Sequence, residues 1–146
     1  MNIHTAAADY ASRFIGTPYL WGGDSPMEGF DCSGLVLEVL QAHGVFERGK
    51  DYSAHGIREQ LIGRGCPEII GLGYAGCIVF WPGSNNRIGH VAIMVDNEHI
   101  VHAAGGGSAV DSLDDAKKYN AYIRKDRVDY RGDGCIIVDP FLGNGE

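Results

Sequence analysis

Helical and strand patterns occupy opposite halves of this 146-residue chain, and that segregation limits its fold more than any other feature. Cys32, Leu35, Val36, Val39, Leu40 and His43 recur at steps of three and four, which predicts an amphipathic helix from about Asp31 to Gly44. A helix capped by Thr5 and carrying Ala7, Tyr10, Ala11 and Phe14 is expected before it, and another from about residue 53 to 62 after it. Beyond residue 76 come short runs rich in β-branched and aromatic residues, at 77–81, 89–95, 99–103 and 135–139. A further short helix fits residues 112–120. Helices first and strands afterwards predict an α+β domain with an antiparallel sheet, since a parallel sheet needs alternating βαβ units. The length suits one domain over residues 1–146.

Nineteen acidic against twelve basic side chains give a formal charge of -7. That field repels phosphate backbones and anionic lipids, so nucleic acid is not an expected partner. No apolar run reaches the roughly 18 residues that span a bilayer, and the first residues lack a basic segment followed by an apolar one. The expectation is therefore a chain made in the cytoplasm with no membrane span.

Glycine supplies 22 residues, about twice its usual share, and implies many tight turns. Residues 17–30, with prolines, glycines and aromatics interleaved, read as a structured loop without a regular element. The GxGxxG pattern at 71–76 precedes a strand and not a helix, so it reads as a turn and not as a phosphate cradle. Arg131-Gly132-Asp133 reads as a turn for similar reasons. The four cysteines are scattered and lack zinc-site pairing, so no metal or other cofactor is expected; Cys66, Cys77 and Cys135 read as small buried residues. His4, His43, His55 and His99 have ordinary explanations: a terminus, a helix end, a polar helix face and a hairpin.

Cys32 differs from the other cysteines by its place in the first turn of a helix, where unpaired N–H groups and the helix dipole favour a thiolate. Its stripe aims the sulfur at the sheet, where a histidine on a facing strand can act as base. His90 and His102 lie on consecutive strand patterns. If Asp96, Asn97 and Glu98 form a three-residue loop, residue 92 opposes 102, and the two histidines share a face as diagonal neighbours about 7–8 Å apart. A two-residue loop would place them on opposite faces.

TPYLWGG, FDCSGLV, IGHVAIMV and IVHAAGG, in this order and at these intervals, resemble the NlpC / p-sixty family of papain-like cell-wall peptidases. The resemblance spans roughly residues 5 to 105 and implies a nucleophile helix packed on an antiparallel sheet. It makes Cys32 the nucleophile, His90 the general base and His102 the residue that orients the imidazole. Tyr19, Asp31 and Ser33 correspond to positions lining the substrate cleft, whereas Trp21, Gly22 and Gly23 read as loop packing. The implied reaction is hydrolysis of peptidoglycan stem peptides, commonly between D-γ-glutamate and a diamino acid such as meso-diaminopimelate. An N-acetylmuramoyl-L-alanine amidase or other acyl-transfer enzyme would use the same residues, and an inactive wall-binding or phage structural module is the alternative of another class. Family members often carry a secretion signal, so phage tail, secreted-effector and cytoplasmic recycling contexts all stay open, with delivery or phage tail proteins as the corresponding partners.

Overall fold

The computed structural model describes residues 2–25, 29–105, 112–132 and 134–143. Helix α1 (Ile3–Ser12) is capped by Asn2, whose side chain accepts the Thr5 N–H at 2.9 Å. The cap therefore lies three residues before the expected Thr5, which sits inside the first turn. A two-residue ribbon, β1 (Asp24–Ser25) with β2 (Gly29–Phe30), occupies part of the segment read from sequence as a loop.

Helix α2 (Cys32–Ala42) starts where the pattern predicts, with Asp31 as its N-cap. Gly44, at φ +79°, turns the chain away after it. The helix is buried continuously from Gly34 to Leu40 and not along one stripe, because α1 and α3 (Ala54–Gly63) flank it while its underside meets the sheet. This burial includes Glu38. Its carboxylate is satisfied by Arg48 at 2.7 Å and by the Tyr10 hydroxyl at 2.6 Å, so the charge stays paired.

The sheet contains β3 (Ile78–Pro82), β4 (Ile88–Met94), β5 (His99–Ala104), β6 (Tyr122–Arg127) and β7 (Ile136–Val138), in the order β6-β5-β4-β3-β7. All neighbours are antiparallel. Alternation sends Phe80, Val91, Ile93 and Val101 toward the helices, and Val79, Trp81, Ala92 and Met94 to the opposite face. Helix α4 (Leu113–Tyr119), capped by Ser112 and ended by Asn120 at φ +52°, matches the short helix expected over residues 112–120 and lies between β5 and β6. Strand β6 has no counterpart in the sequence reading: Arg124, Lys125, Asp126 and Arg127 surround its one fully buried side chain, Ile123. Such charge suits an edge strand and conceals the alternation.

The glycines of 71–76 form a turn into β3, as expected; a Cβ on Gly76 would press on the His4 backbone, and one on Gly73 on Met94. Cys66 and Cys77 are buried, but Cys135 is only partly so, because it precedes edge strand β7. Arg131 and Gly132 lie in an exposed loop, and Asp133 falls outside the described residues. His4 is no idle terminal residue: its Nε2 lies 2.9 Å from the buried Asp139 carboxylate, which also accepts the Tyr74 hydroxyl at 2.5 Å. Likewise His55 is more than a polar face, since its Nδ1 accepts the Ile88 N–H at the start of β4.

The β4–β5 hairpin fixes the geometry of the site. Its register pairs Ile93 with Val101 and Met94 with Ile100, and the Val95 N–H reaches the His99 carbonyl. This is the three-residue connection that gives His90 and His102 a common face. The Asp96 carboxylate holds it by accepting the Glu98 and His99 N–H groups at 2.8 and 2.7 Å. Beyond Ile93 the two strands part: β4 stays paired with β3 back to Ile88, and β5 with β6 out to Ala104, but their own ladder has ended.

Candidate active site

Asp31 organises the approach to Cys32. One of its carboxylate oxygens accepts the Gly34 N–H at 2.7 Å and the Ser33 hydroxyl at 3.2 Å, and the other accepts the Gly22 N–H at 2.9 Å. The same group thus caps α2 and ties down the preceding loop, where a cap alone stabilises a helix by about 1 kcal/mol. Gly34 is required for this contact, since a Cβ there would strike the Gly23 carbonyl lying on the first turn. Tyr19 is buried and its N–H reaches the Ala121 carbonyl at 2.9 Å, while Trp21 stays 55% exposed.

The sequence reading aims the sulfur at the sheet without choosing a face for the base. His90 pairs with Trp81 and belongs to the face opposite the helices. Cys32 and His90 nevertheless line one cavity, together with Tyr19, Tyr130 and Arg131, at the point where β4 and β5 diverge. The divergence also frees the Val91 N–H. Strand alternation directs it toward β5 and the Cys32 sulfur, whose thiolate it favours.

Behind His90 lies a hydrogen-bonded file. His90 Nε2 is 2.8 Å from Nδ1 of the fully buried His102, whose Nε2 is 2.7 Å from Asp126 on β6. The Tyr130 hydroxyl stands 3.4 Å from the same His102 Nδ1. Trp81, His102 and Tyr130 enclose the rings, with centroids 4.9 to 5.7 Å apart along the cluster. Asp126 is the residue the sequence reading missed, because its strand went unrecognised.

The cleft has two lobes sharing Tyr19, Trp21, Cys32 and Gly89. One, of about 390 Å³, adds Asp31, Ser33, Asp51 and Tyr52; the other, of about 410 Å³, adds His90, Tyr130 and Arg131. Tyr19, Asp31 and Ser33 therefore reach the cleft as expected. Trp21 joins them, which corrects its reading as loop packing: the tied-down loop holds its ring at the cleft wall. Among the described residues no cluster of three or more histidine, cysteine or acidic side chains could hold a metal ion.

The sequence profile of the NlpC/P60 family matches residues 16–127, a span that holds Tyr19, Cys32, His90, His102 and Asp126. The chain belongs to the NlpC/P60 family. Dipeptidyl-peptidase 6 of Lysinibacillus sphaericus is 36% identical over 72% of this chain and 35% of its own length. A gamma-D-glutamyl-L-lysine dipeptidyl-peptidase of Bacillus subtilis is 30% identical over 68% and 32%. The chain thus spans about a third of these curated relatives. Among solved structures, the NlpC/p60 domain of the peptidoglycan hydrolase SagA aligns with a TM-score of 0.61 at 27% identity, covering 94% of this chain and 98% of that one. Helices packed on an antiparallel sheet, the fold class read from sequence, are the NlpC/P60 architecture.

The resting protonation of this NlpC/P60 site departs from the expected thiolate. Burial, followed by the Asp31 charge, pushes the Cys32 thiol up to about 11, outweighing the amides of Val91, Ser33 and Cys32 itself. Burial, then His102 and Arg131, lowers His90 well below an ordinary histidine. At neutral pH the pair is therefore thiol and imidazole. Alkylation of Cys32 by iodoacetamide should accelerate about tenfold per pH unit between pH 7 and 9, because thiolate is scarce throughout that range. Mass-spectrometric rates at Cys32 check this, and a plateau from pH 6 upward would show a preformed ion pair instead.

Proposed function

We propose that this chain is a cysteine peptidase that hydrolyses peptidoglycan stem peptides at the bond between D-γ-glutamate and a diamino acid. The observation that carries this reading is one cleft lined by the helix-capping Cys32 and by His90, with the His102–Asp126 file behind it. His90 Nε2 is engaged with His102, so Nδ1 is the atom left to take the thiol proton. Sulfur then attacks the carbonyl, and the imidazolium returns the proton to the leaving amine; water activated by His90 releases the acyl group. The Cys32 N–H, unpaired at the helix start, and the Tyr19 phenol supply oxyanion donors. Burial and the neighbouring Cys32 and Asp31 raise the pKa of that phenol, which keeps it protonated.

The lobes differ in charge, with Asp31 and Asp51 on one and Arg131 on the other. Such a cleft suits a short peptide bearing both an amine and carboxylates, as a stem peptide does. The named activity of the gamma-D-glutamyl-L-lysine dipeptidyl-peptidase supports the choice of bond.

Digestion of meso-diaminopimelate stem peptides, with mass spectrometry of the fragments, tests the reading. The expected product ends in D-glutamate. Release of free N-acetylmuramic acid with an uncut peptide would show amidase chemistry, and no turnover of any muropeptide would favour a binding module. Comparing L-Ala-γ-D-Glu-diaminopimelate with the same peptide attached to its sugar separates recycling from lysis, because only the free peptide offers its L-alanine amine to the acidic lobe.

A further inference from the structure

We infer that Asp126 is a positioning residue that sets the tautomers of both histidines, so that the lone pair of His90 Nδ1 faces the cleft. The inference rests on His90 as the base. A carboxylate accepts hydrogen bonds and does not donate them, so the 2.7 Å contact requires a proton on His102 Nε2. A neutral His102 then has a bare Nδ1. That atom can only accept across its 2.8 Å contact, which places the proton of His90 on Nε2. Nδ1 of His90, the ring nitrogen not engaged with His102, is left unprotonated in a residue that lines the cavity with Cys32.

The surroundings support a neutral file. His102 is fully buried, and burial outweighs the pull of Asp126 and leaves its proton affinity below that of an ordinary histidine; Arg124 and Arg131 oppose a second proton. The Tyr130 hydroxyl, 3.4 Å from the same Nδ1, can turn its proton toward that bare nitrogen. Asp126 itself is partly exposed, its side chain 35% accessible, so it remains solvated while it orients a buried ring. When the thiol proton arrives at His90 Nδ1, no other proton need move: the imidazolium donates from Nε2 along the existing file, and returning the proton to the leaving amine restores the starting state.

Asp126→Asn inverts the logic. The amide can donate to His102 Nε2, which moves the His102 proton to Nδ1 and the His90 proton to Nδ1, away from the productive arrangement. The test combines nitrogen-15 NMR of labelled histidine with stem-peptide kinetics, in the wild type and in Asp126→Asn and Asp126→Glu. The wild type should show His90 with a pyrrole-type Nε2 and a pyridine-type Nδ1. Asp126→Asn should reverse that pattern and lower kcat by about 10- to 100-fold with little change in KM, and Asp126→Glu should recover most of both. Reversed tautomers in the wild type overturn the inference even if no variant folds, and so does Asp126→Asn with unchanged His90 signals or wild-type kcat. An inactive His90→Ala beside a fully active Asp126→Asn would remove Asp126 while leaving the base assignment intact. An active His90→Ala would instead remove the reading on which both depend.

Discussion

Cys32→Ala should reduce stem-peptide hydrolysis by about 10⁴-fold or more, to background, while the protein melts within a few degrees of the wild type. In the proposed mechanism the sulfur carries the chemistry, and alanine keeps the first turn of α2 because the cap belongs to Asp31, whose contacts with Gly22, Ser33 and Gly34 do not involve Cys32. Cys66→Ala and Cys77→Ala, by contrast, remove buried sulfur atoms remote from the cleft, so they should lower the melting temperature and spare turnover. Fragment analysis together with circular dichroism melts separates the cases. Substantial activity in Cys32→Ala, or inactivity accompanied by unfolding, would sink the nucleophile assignment.

His90→Ala should cost about 10³-fold in kcat, since it removes the imidazole proposed to accept the thiol proton. His102→Gln should cost less, within about 100-fold, and the reason lies in the file itself. A glutamine amide carries an oxygen that can accept from His90 Nε2 and a nitrogen that can donate to Asp126, matching both duties of the imidazole. His102→Ala matches neither and leaves the buried His90 N–H without a partner, so its activity should fall between the two. The roles are misassigned if His102→Gln is as inactive as His90→Ala in single-turnover assays.

The elements that sequence disclosed are those whose side chains sort by periodicity. Cys32, Leu35, Val36, Val39 and Leu40 announce α2, and Asp96, Asn97 and Glu98 fix the hairpin parity that brings His90 and His102 onto one face. Which face that is lies beyond sequence: strand alternation gives two equivalent sides, and only tertiary packing decides that α2 covers Val91 and not His90. Asp126 was invisible for a different reason. An edge strand needs a single apolar anchor, here Ile123, and its remaining positions are free to carry charge that reads as loop. The resting thiol was also beyond sequence, because a helix N-terminus favours thiolate locally whereas desolvation is a property of the whole cleft.

The parting of β4 and β5 leaves an amide whose bonding partner is reactive. The Met94 N–H of β4 meets the Cys77 carbonyl, whose charge never changes, but the Val91 N–H is directed at a sulfur that, in the proposed reaction, passes from thiol to thiolate to thioester. Its proton resonance is therefore a resident gauge of the nucleophile, read from the backbone without a label on the substrate. In the proposed reaction that sulfur atom gains a charge in the thiolate and loses it again in the thioester.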